Sequence, residues 1–346
     1  MLAAVLHAAH DLRLESLPDP LPAPGEVLLR VEAGGICGSD LSYFHKGRVG
    51  DFAVRQPMTL GHEVAGLVAA LGEGVTGPAI GQRVAINPSR ACRHCDYCRA
   101  GRANLCRQMR FLGSAAIMPH VQGGFSEYLV VREDQCVPVP DGMSARLAAC
   151  AEPLSVALHA LRRAGDLMNR QVLITGAGPI GLLVLIAAAR AGAAEICITD
   201  LADEPLAIAR RAGASRTVNV ATEPEGLAAY QEGRGHFDVV FEATGSPQAL
   251  AEAVRAVRAG GRIVQLGMLP PGAVPLPVNM LMAREIDLIG SFRFHEEFAE
   301  AVSALASGRI DVSPILSAEL PFQSAVEAFT LASDRKRSIK VHLAIG

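Results

Sequence analysis

The stretch Gln171-Val-Leu-Ile-Thr-Gly176-Ala-Gly-Pro-Ile-Gly181 decides the fold of the second half of the chain. A short apolar run typical of a buried strand leads into glycines spaced Gly-x-Gly-x-x-Gly, and an apolar helical pattern continues to about Ala191. The first glycine permits a tight turn, the second lets a pyrophosphate approach the backbone, and the third brings helix and strand together. Unpaired N–H groups at the helix start attract phosphate. The stretch therefore predicts a dinucleotide-binding loop with cofactor contacts at Gly176, Gly178, Pro179, Ile180 and Gly181.

An acidic residue ends the next predicted strand, Glu195-Ile-Cys-Ile-Thr-Asp200, and lies 19 residues after Gly181. A carboxylate at this position accepts hydrogen bonds from the adenosine ribose hydroxyls and repels a 2′-phosphate. Residues 201–205 add acidic side chains and no arginine. NAD is therefore the predicted cofactor, and NADP is disfavoured. The alternative is that Asp200 only caps the end of its strand.

Strands and helices alternate through the region around this loop. Further strand patterns occur at 216–219, 237–242, 261–267 and 285–290, with helical patterns between most of them. Such alternation is typical of a parallel sheet covered by helices on both faces. We predict an α/β fold with a Rossmann doubly wound sheet over residues 154–292.

Residues 1–153 follow a different pattern. Short apolar runs at 26–32, 64–70, 83–87 and 125–131 are separated by glycine and proline turns, which indicates a β-rich domain. Residues 293–346 contain a helical pattern at 296–307 and a strand pattern at 339–343. We expect this last segment to return to the β-rich domain.

Four closely spaced cysteines lie inside the β-rich region, at Cys92, Cys95, Cys98 and Cys106. Short spacings let successive thiolates turn inward from one loop, and four of them close a tetrahedron around Zn²⁺. A site with four thiolates has no vacancy for water or substrate, so the pattern predicts a structural zinc. Two disulfides or four unrelated thiols are the alternatives.

Composition narrows the function classes. The 346 residues carry a net charge of −3, with 50% hydrophobic and 19% charged residues, as in ordinary soluble enzymes. That charge creates no global field for nucleic acid or an anionic membrane, and we expect neither as a partner. No signal-peptide core or apolar run of bilayer length occurs. Eight cysteines without a secretion signal favour the reducing cytoplasm, where thiols bind metals rather than form disulfides.

A second metal site is suggested by Cys37, His62 and Glu63, which lie outside the four-cysteine segment. A thiolate and an imidazole are a good zinc pair, and a neighbouring carboxylate can complete it. From the residues alone, Cys37 is equally read as a small buried thiol and His62 as a core histidine.

Five motifs in one order along the chain carry a family resemblance. They are Cys37-Gly-Ser39-Asp40, Gly61-His62-Glu63, the four-cysteine segment, Ala151-Glu152-Pro-Leu-Ser-Val156 and the glycine loop. Together they resemble the zinc-containing medium-chain alcohol dehydrogenases over essentially the whole chain. Glutamate after the ligand histidine and the Glu-Pro-Leu segment resemble the polyol (sorbitol) dehydrogenase branch. Segments 85–89, 109–114, 119–121, 123–125 and 290–294 are similar to L-idonate 5-dehydrogenases.

The resemblance implies a GroES-like fold for the β-rich catalytic domain and assigns roles to individual residues. It implies a catalytic zinc held by Cys37, His62 and Glu63, with Glu152 opposite as an occasional ligand or as a partner of the zinc's water. It implies that Ser39 belongs to a proton relay. The substrate-pocket positions that it implies are Tyr43, Glu152, Arg293 and Phe294. The nicotinamide-side positions that it implies are Leu266, Gly267, Met268, Ser291, Phe292 and Arg293.

The implied reaction is hydride transfer between NAD and a secondary alcohol of a small-molecule sugar acid or polyol. The predicted pair is L-idonate and 5-keto-D-gluconate, and sorbitol, xylitol or L-threonine are the alternative substrates. Two zinc ions per chain are expected, one catalytic and one structural. Relatives often form tetramers, so the resemblance implies a homo-oligomer, a tetramer or a dimer. A non-catalytic zinc or redox sensor is the alternative from a different class.

The chain departs from the family pattern at two positions. Many relatives have histidine three residues after the relay hydroxyl, where this chain has Ser42, so water, His45 or the cofactor ribose would pass the proton on. Pro205 stands where sorbitol dehydrogenases often place an arginine near the adenosine ribose, which would weaken cofactor binding modestly.

A sugar-acid substrate needs a cation near its carboxylate. Arg48, Arg55 and Arg110 are the candidates, and Arg110 is preferred because it lies in an idonate-like segment; the alternative is that all three are solvated surface residues. The run Arg335-Lys-Arg337 is predicted to be a solvated turn. The remaining cysteines are predicted to be packing thiols: Cys136, Cys150 and Cys197.

Overall fold

Twenty strands and eleven α-helices form over residues 1–346, all of which the computed structural model describes. The strands are β1 (Leu2–Ala8), β2 (Asp11–Ser16), β3 (Glu26–Gly35), β4 (Arg48–Val49), β5 (Phe52–Ala53), β6 (Met58–Thr59), β7 (Glu63–Leu71), β8 (Arg83–Ile86), β9 (Ser89–Arg90), β10 (Arg110–Phe111), β11 (Tyr128–Arg132), β12 (Cys136–Pro138), β13 (Gln171–Thr175), β14 (Glu195–Asp200), β15 (Arg216–Asn219), β16 (Phe237–Glu242), β17 (Val257–Gln265), β18 (Asp287–Gly290), β19 (Leu316–Pro321) and β20 (Lys340–Ala344). The helices are α1 (Gly38–Lys46), α2 (Asp96–Arg99), α3 (Ala145–Ala149), α4 (Ala151–Ala164), α5 (Pro179–Arg190), α6 (Asp203–Arg211), α7 (Ala228–Gln231), α8 (Pro247–Ala256), α9 (Val278–Ala283), α10 (Glu297–Ala306) and α11 (Ala325–Ser333). None of them has the length and hydropathy needed to span a bilayer.

The second half of the chain forms a six-stranded parallel sheet in the order β15-β14-β13-β16-β17-β18. Numbered along the chain, that order is 3-2-1-4-5-6, the doubly wound dinucleotide-binding topology. The central strand β13 is buried at four of its five residues because helices cover both faces of the sheet. The predicted strands at 171–175, 195–200, 216–219 and 237–242 are confirmed at their stated bounds.

The first half forms a seven-stranded, mostly antiparallel sheet in the order β12-β8-β7-β3-β20-β19, with β11 also paired to β3. Its apolar side chains share one core with α11, in which Phe125 and Phe329 are both fully buried. The C-terminal strand β20 inserts between β3 and β19, so the end of the chain completes the sheet of the first half. This insertion brings Lys340 beside residues near position 63.

The helices between the two sheets do not follow the predicted division of the chain. Helix α4 runs without interruption through the predicted boundary at 153/154. Helix α10 lies in the segment 293–346 that is predicted to return to the β-rich domain, yet Phe298 and Ala301 of α10 share a core with β13 and α5. Because the α10 side chains pack on α4 and the parallel-sheet core, the chain rejoins the first sheet only at β19.

Candidate active site and cofactor cleft

Cys37, His62 and Glu63 form a cluster at the end of β3 and the start of β7. These two antiparallel strands pair Gly35 with Glu63, which places the residues just after β3 beside the residues just before β7. The ligand atoms of the three side chains lie within 4.8 Å of one another. Thiolate, imidazole and carboxylate are the donor set that zinc accepts, so the three residues fit a zinc ion. Burial and the negative charge of Glu63 raise the pKa of the Cys37 thiol to about 12, against the opposing charge of Lys340.

Asp40 connects the two ligand-bearing segments. Its Oδ2 accepts a hydrogen bond from the Cys37 N–H at 2.9 Å, and its Oδ1 accepts one from the Gly61 N–H at 3.2 Å. Oδ1 also lies 3.6 Å from His62 Nδ1. With a carboxylate on the Nδ1 side of the imidazole, Nε2 is the nitrogen available to a metal. Asp40 thus lies where a carboxylate favours one orientation of a ligand histidine, although the 3.6 Å separation is longer than a hydrogen bond and His62 Nδ1 has no hydrogen-bond partner.

Lys340 supplies a buried positive charge directly beside Glu63. Its Nζ donates to Glu63 Oε1 at 2.8 Å, to Oε2 at 2.7 Å and to the Ile36 carbonyl at 3.1 Å. Both side chains are only 1% exposed. Burial opposes the charge on the lysine, but Glu63 more than offsets this and raises the pKa of Lys340 above its usual range. The ion pair therefore compensates the charges of both side chains in an interior that would disfavour either charge alone.

A pocket of about 180 Å³ opens beside this cluster and is lined by seven of the predicted site residues. The predicted residues that line it are Ser39, Tyr43, His62, Glu152, Met268, Phe292 and Arg293. Sequence reasoning missed its apolar wall, which includes Val49, Phe52, Phe111 and Val156, together with Ser114. The Tyr43 hydroxyl accepts a hydrogen bond from the Ala115 N–H at 3.0 Å, which orients the tyrosine in the wall.

Arg293 is the cation of this pocket. Its guanidinium lies 4.1 Å from the ring centroid of Phe111 and 4.9 Å from that of Phe292. Burial lowers the pKa of Arg293 to about 10, so the group stays charged at neutral pH. Phe294 is predicted to line the pocket, but the structure does not place it there. It turns into the core and packs against Phe298 with ring centroids 5.7 Å apart.

The predicted carboxylate-binding arginine is not in the pocket. Successive side chains of a strand point to opposite faces, and in β10 Phe111 lines the pocket, which directs Arg110 away from it. Arg110 is exposed and lines a separate groove together with Arg90 and Arg132. Arg48 and Arg55, the other two candidates, are exposed and do not line the pocket either.

Glu152 and Ser39 lie on the pocket wall near the metal-binding cluster. Glu152 is outside the set of three whose ligand atoms converge. Burial, reinforced by the charges of Glu63 and Cys37, raises the pKa of Glu152 to about 8. Ser42, which stands where many relatives have the relay histidine, donates its hydroxyl to the Gly38 carbonyl at 3.0 Å. His45 does not line the pocket, and its Nε2 pairs with the Ser333 hydroxyl at 2.7 Å.

The glycine loop has the geometry that a pyrophosphate requires. Gly176 has a φ of 92°, and a Cβ at Gly181 would lie 1.8 Å from the Gly176 carbonyl oxygen, so neither position accepts a side chain. At Gly178, by contrast, the nearest atom to an added Cβ is 3.9 Å away, which leaves the space above the start of α5 open. No side chain caps the first N–H groups of α5. The open space and free N–H groups fit a phosphate.

The loops after β17 and β18 lie at the carboxyl edge of the parallel sheet, where dinucleotides bind. A Cβ at Gly267 would lie 2.1 Å from the Gly245 nitrogen, so the loop after β17 packs closely against the loop after β16. Leu266 packs against the sheet core, and Met268 reaches the catalytic pocket. The Ser291 N–H donates to the Gln265 carbonyl at 2.9 Å, while its buried hydroxyl has no protein partner.

Asp200 ends β14 beside the glycine loop and is paired with an arginine from the far end of the chain. Its Oδ2 accepts hydrogen bonds from the Ala177 N–H at 2.8 Å and from Arg335 Nη2 at 2.6 Å. The predicted solvated turn at 335–337 is confirmed, since all three residues lie in a turn and are exposed, but the ion pair of Arg335 with Asp200 was not predicted. The sequence offered no signal for this contact, because 135 residues separate the two partners.

The four-cysteine segment brings its sulfur atoms within 4.8 Å of one another. A tetrahedron with metal–sulfur distances of about 2.3 Å places sulfurs roughly 3.8 Å apart, so the cluster fits zinc. The Cys92 and Cys98 sulfurs are 4.0 Å apart, about twice the length of a disulfide bond. Backbone N–H groups of Cys98 and Arg107 lower the pKa of Cys95 to about 6, which favours the thiolate form that a metal binds. Of the other cysteines, the structure buries Cys136, Cys150 and Cys197 in apolar clusters, as predicted for packing thiols.

Comparison with known protein families and proteins shows which family has this architecture. A family model described as an alcohol dehydrogenase GroES-like domain matches residues 23–141, and one described as a zinc-binding dehydrogenase matches residues 179–307. The chain is 44% identical over 322 residues to an Escherichia coli L-idonate 5-dehydrogenase (NAD(P)(+)), covering 91% of each sequence. The chain belongs to the zinc-dependent medium-chain alcohol dehydrogenases. The predicted Rossmann and GroES-like fold classes are confirmed.

Two further comparisons place this dehydrogenase in the polyol and sugar-acid branch of the family. It is 39% identical to a sorbitol dehydrogenase from Gallus gallus, over 99% of the chain and 96% of the relative. The crystal structure of an L-idonate 5-dehydrogenase from Escherichia coli superposes with a TM-score of 0.94 at 40% identity, covering 99% of this chain and 98% of the other. The dehydrogenase is therefore an oxidoreductase of small molecules, and the alternative of a non-catalytic zinc sensor is set aside.

Three residues of the dehydrogenase emerge as important that sequence reasoning did not assign to the site: Asp40, Lys340 and Arg335. Asp40 was visible in the sequence beside Ser39, and its position three residues after Cys37 is the spacing at which a helix side chain reaches back to the N-cap N–H. Lys340 carries a weaker signal, since a lysine in an apolar terminal strand must find a buried partner or solvent.

Proposed function

We propose that this dehydrogenase interconverts L-idonate and 5-keto-D-gluconate with NAD, using a catalytic zinc at Cys37, His62 and Glu63. The observation that carries the sugar-acid assignment is Arg293, a charged guanidinium in the wall of the pocket that His62 and Glu152 also line. A planar guanidinium matches a carboxylate with two parallel hydrogen bonds. The similarity to an L-idonate 5-dehydrogenase at 44% identity also supports this substrate.

The metal ligands of the chain are held before substrate arrives. Zinc, when bound, polarises a hydroxyl or carbonyl oxygen as a Lewis acid. Asp40 positions His62 and the Cys37 backbone, while Lys340 holds both carboxylate oxygens of Glu63 by hydrogen bonds. Phe111 and Phe292 narrow the pocket and reduce the water within it, which strengthens every charge interaction there.

Proton and hydride movements are assigned to opposite sides of the pocket. The Ser39 hydroxyl accepts the proton that the substrate hydroxyl loses, and it passes that proton towards solvent through water, because Ser42 and His45 are otherwise engaged. Met268 and Phe292, which line the pocket, would hold the nicotinamide ring on the other side, and that ring would supply the hydride acceptor. Glu152, between these two sides of the pocket, orients the hydroxyl groups of the substrate.

Steady-state assays of the zinc-loaded enzyme test this proposal. L-Idonate, sorbitol, xylitol and L-threonine are compared with NAD, and we expect L-idonate to have the highest kcat/KM. Arg293→Ala should raise KM for L-idonate about 10- to 100-fold and KM for sorbitol much less, because only the acid loses a charge-assisted bond. Arg110→Ala is the matched control and should leave both values unchanged. Rapid turnover of sorbitol with an inactive L-idonate would overturn the substrate assignment.

We also propose two zinc ions per chain and a homo-oligomer, either a tetramer or a dimer. Support for assembly comes from β18, the edge strand of the parallel sheet, where Leu288 is exposed and nearby Val278 and Met282 are 62% and 71% exposed. Unpaired edge strands with exposed apolar side chains are sites of chain association. Metal analysis should find two zinc ions per chain, and light scattering should give a mass above that of one chain.

A further inference from the structure

A cavity of about 630 Å³ adjoins Asp200. Its lining residues differ from those of the catalytic pocket. One wall is the end of β14 and the loop that follows it, and the other is the end of α11 and the turn after it. We call this space the Asp200 cavity. Its lining residues are Asp200, Leu201, Ala202, Thr330, Ser333, Asp334, Arg335 and Lys336.

The hydrogen bonds of Asp200 leave it little free capacity. Its Oδ1 accepts from the Leu201 N–H at 2.7 Å and the Ala202 N–H at 3.2 Å. Its Oδ2 accepts from the Ala177 N–H and from Arg335, as described above. A carboxylate oxygen has two lone pairs, so all four positions are filled. A ribose hydroxyl can therefore reach Oδ2 only if the Arg335 guanidinium moves away.

Arg335 is free to make that movement. The side chain of Arg335 is 55% exposed, whereas that of Asp200 is 3% exposed, so the arginine is the mobile partner of the pair. Its Nη2 is also the atom nearest to the open side of Gly178, at 3.9 Å from an added Cβ. The guanidinium thus lies between the glycine loop and Asp200, where the adenosine end of a dinucleotide is expected.

We propose that Arg335 is a cofactor-specificity residue that leaves Asp200 and binds the 2′-phosphate of NADP, so that the enzyme accepts NADP as well as NAD. A phosphate on the 2′-oxygen of a ribose held at Asp200 would enter the Asp200 cavity. That cavity holds a guanidinium, the ammonium of Lys336 and two hydroxyls, from Thr330 and Ser333. Arginine pairs with phosphate through its planar fork of N–H donors.

The charge balance of the cavity explains why neither cofactor is excluded. Two carboxylates, Asp200 and Asp334, face two cations, Arg335 and Lys336. The repulsion that Asp200 alone would exert on a 2′-phosphate is offset by its own ion-pair partner. The expectation that NADP is disfavoured treats Asp200 as an unpaired carboxylate, because residues 201–205 contain no arginine. The arginine comes instead from residue 335.

Direct binding measurements test this inference, which rests on the proposed binding of a nicotinamide dinucleotide in this cleft. Calorimetric titration of the zinc-loaded full chain is done with NADH, NADPH, ADP-ribose and 2′-phospho-ADP-ribose. We expect the wild-type dissociation constants for NADH and NADPH to lie within about 10-fold of each other. Arg335→Ala should weaken NADPH and 2′-phospho-ADP-ribose about 10- to 100-fold, and change NADH and ADP-ribose less than about threefold.

Arg337→Ala, an exposed arginine in the same turn, is the matched control and should change no ligand by more than about threefold. Retained NADH binding by Arg335→Ala shows that this variant is folded. Equal weakening of NADH and NADPH would place Arg335 at a phosphate common to both, and would overturn the inference. So would a wild-type preference for NADH above about 1,000-fold. Failure to bind any of the four ligands would instead refute the proposed binding of a nicotinamide dinucleotide in this cleft.

Discussion

Replacing Lys340 by methionine removes the only positive charge that hydrogen-bonds to Glu63. The methionine has a similar length, so it fills the space of the lysine stem while leaving the carboxylate without its partner. Both Glu63 oxygens accept from Lys340 at 2.8 and 2.7 Å, and both residues are fully buried. In the metal-free enzyme, Lys340→Met therefore leaves a buried, uncompensated negative charge.

The cost follows from the burial of the pair. Breaking a buried ion pair by removing one partner costs about 3–5 kcal/mol. An unfolding entropy of about 2.1 cal/mol/K per residue gives about 0.7 kcal/mol/K over 346 residues, so this cost corresponds to a fall in Tm of about 4–7 °C. In the zinc-loaded enzyme the metal provides a second cation beside Glu63, and we expect a loss of only about 1–2 kcal/mol.

The assay is thermal and denaturant unfolding of the wild type and Lys340→Met, each after chelation and after zinc loading. Zinc should stabilise Lys340→Met more than it stabilises the wild type. Adding Glu63→Gln should restore most of the loss in the chelated protein, because the unpaired charge is then gone. Lys336→Met, an exposed lysine, is the control and should stay within about 0.5 kcal/mol of wild type. A loss below about 1 kcal/mol in chelated Lys340→Met, or a double variant no more stable than the single, would refute the reasoning.

Three further predictions concern the metal sites and the helix packing. Cys98→Ser should lower Tm and zinc content while Cys37→Ser should fold and lose turnover, as measured by unfolding and by activity; the reverse pattern would exchange the two zinc assignments. Asp40→Asn should weaken binding of the catalytic zinc about 10- to 100-fold in a chelator competition, and unchanged affinity would deny Asp40 its positioning role. Burial opposes ionisation of Glu297, but its pairing with His159 at 3.0 Å and backbone N–H groups lower its pKa from 4.5 to about 2. Because the folded pKa is depressed, this stabilisation is complete above pH 4.5 and is lost as the pH falls towards 2. Glu297→Gln should therefore be about 1–3 kcal/mol less stable at pH 7, with the difference shrinking in unfolding curves below pH 4.5, and a pH-independent difference would contradict this.

Local patterns in the sequence were sufficient for the elements that depend on neighbouring residues. The strand before the glycine loop and the strand ending at Asp200 have their predicted bounds because each is a short apolar run bounded by turn residues. The four cysteines converge because their spacing confines them to one loop. The sequence-based prediction that Arg110 binds the substrate carboxylate put this side chain in the wrong place. Residue type and segment similarity do not show which face of a strand a side chain occupies. Phe111, the neighbour of Arg110, occupies the pocket face instead.

The sequence by itself determined the dinucleotide loop and the four-cysteine cluster, because these arise from spacings of a few residues, and it indicated the parallel sheet through alternating strand and helix patterns. Cys37 meets His62 and Glu63 only because β3 pairs with β7. Only the tertiary structure decided which side chains form ion pairs with the two acidic residues Glu63 and Asp200. Lys340 lies 277 residues from Glu63, and Arg335 lies 135 residues from Asp200. Both contacts exist because β20 returns to pair with β3, and the turn before that strand is thereby carried to the cofactor cleft. Such long-range pairing depends on packing of the whole chain, so the sequence names neither partner, even where a lysine in an apolar strand indicates that Lys340 needs one.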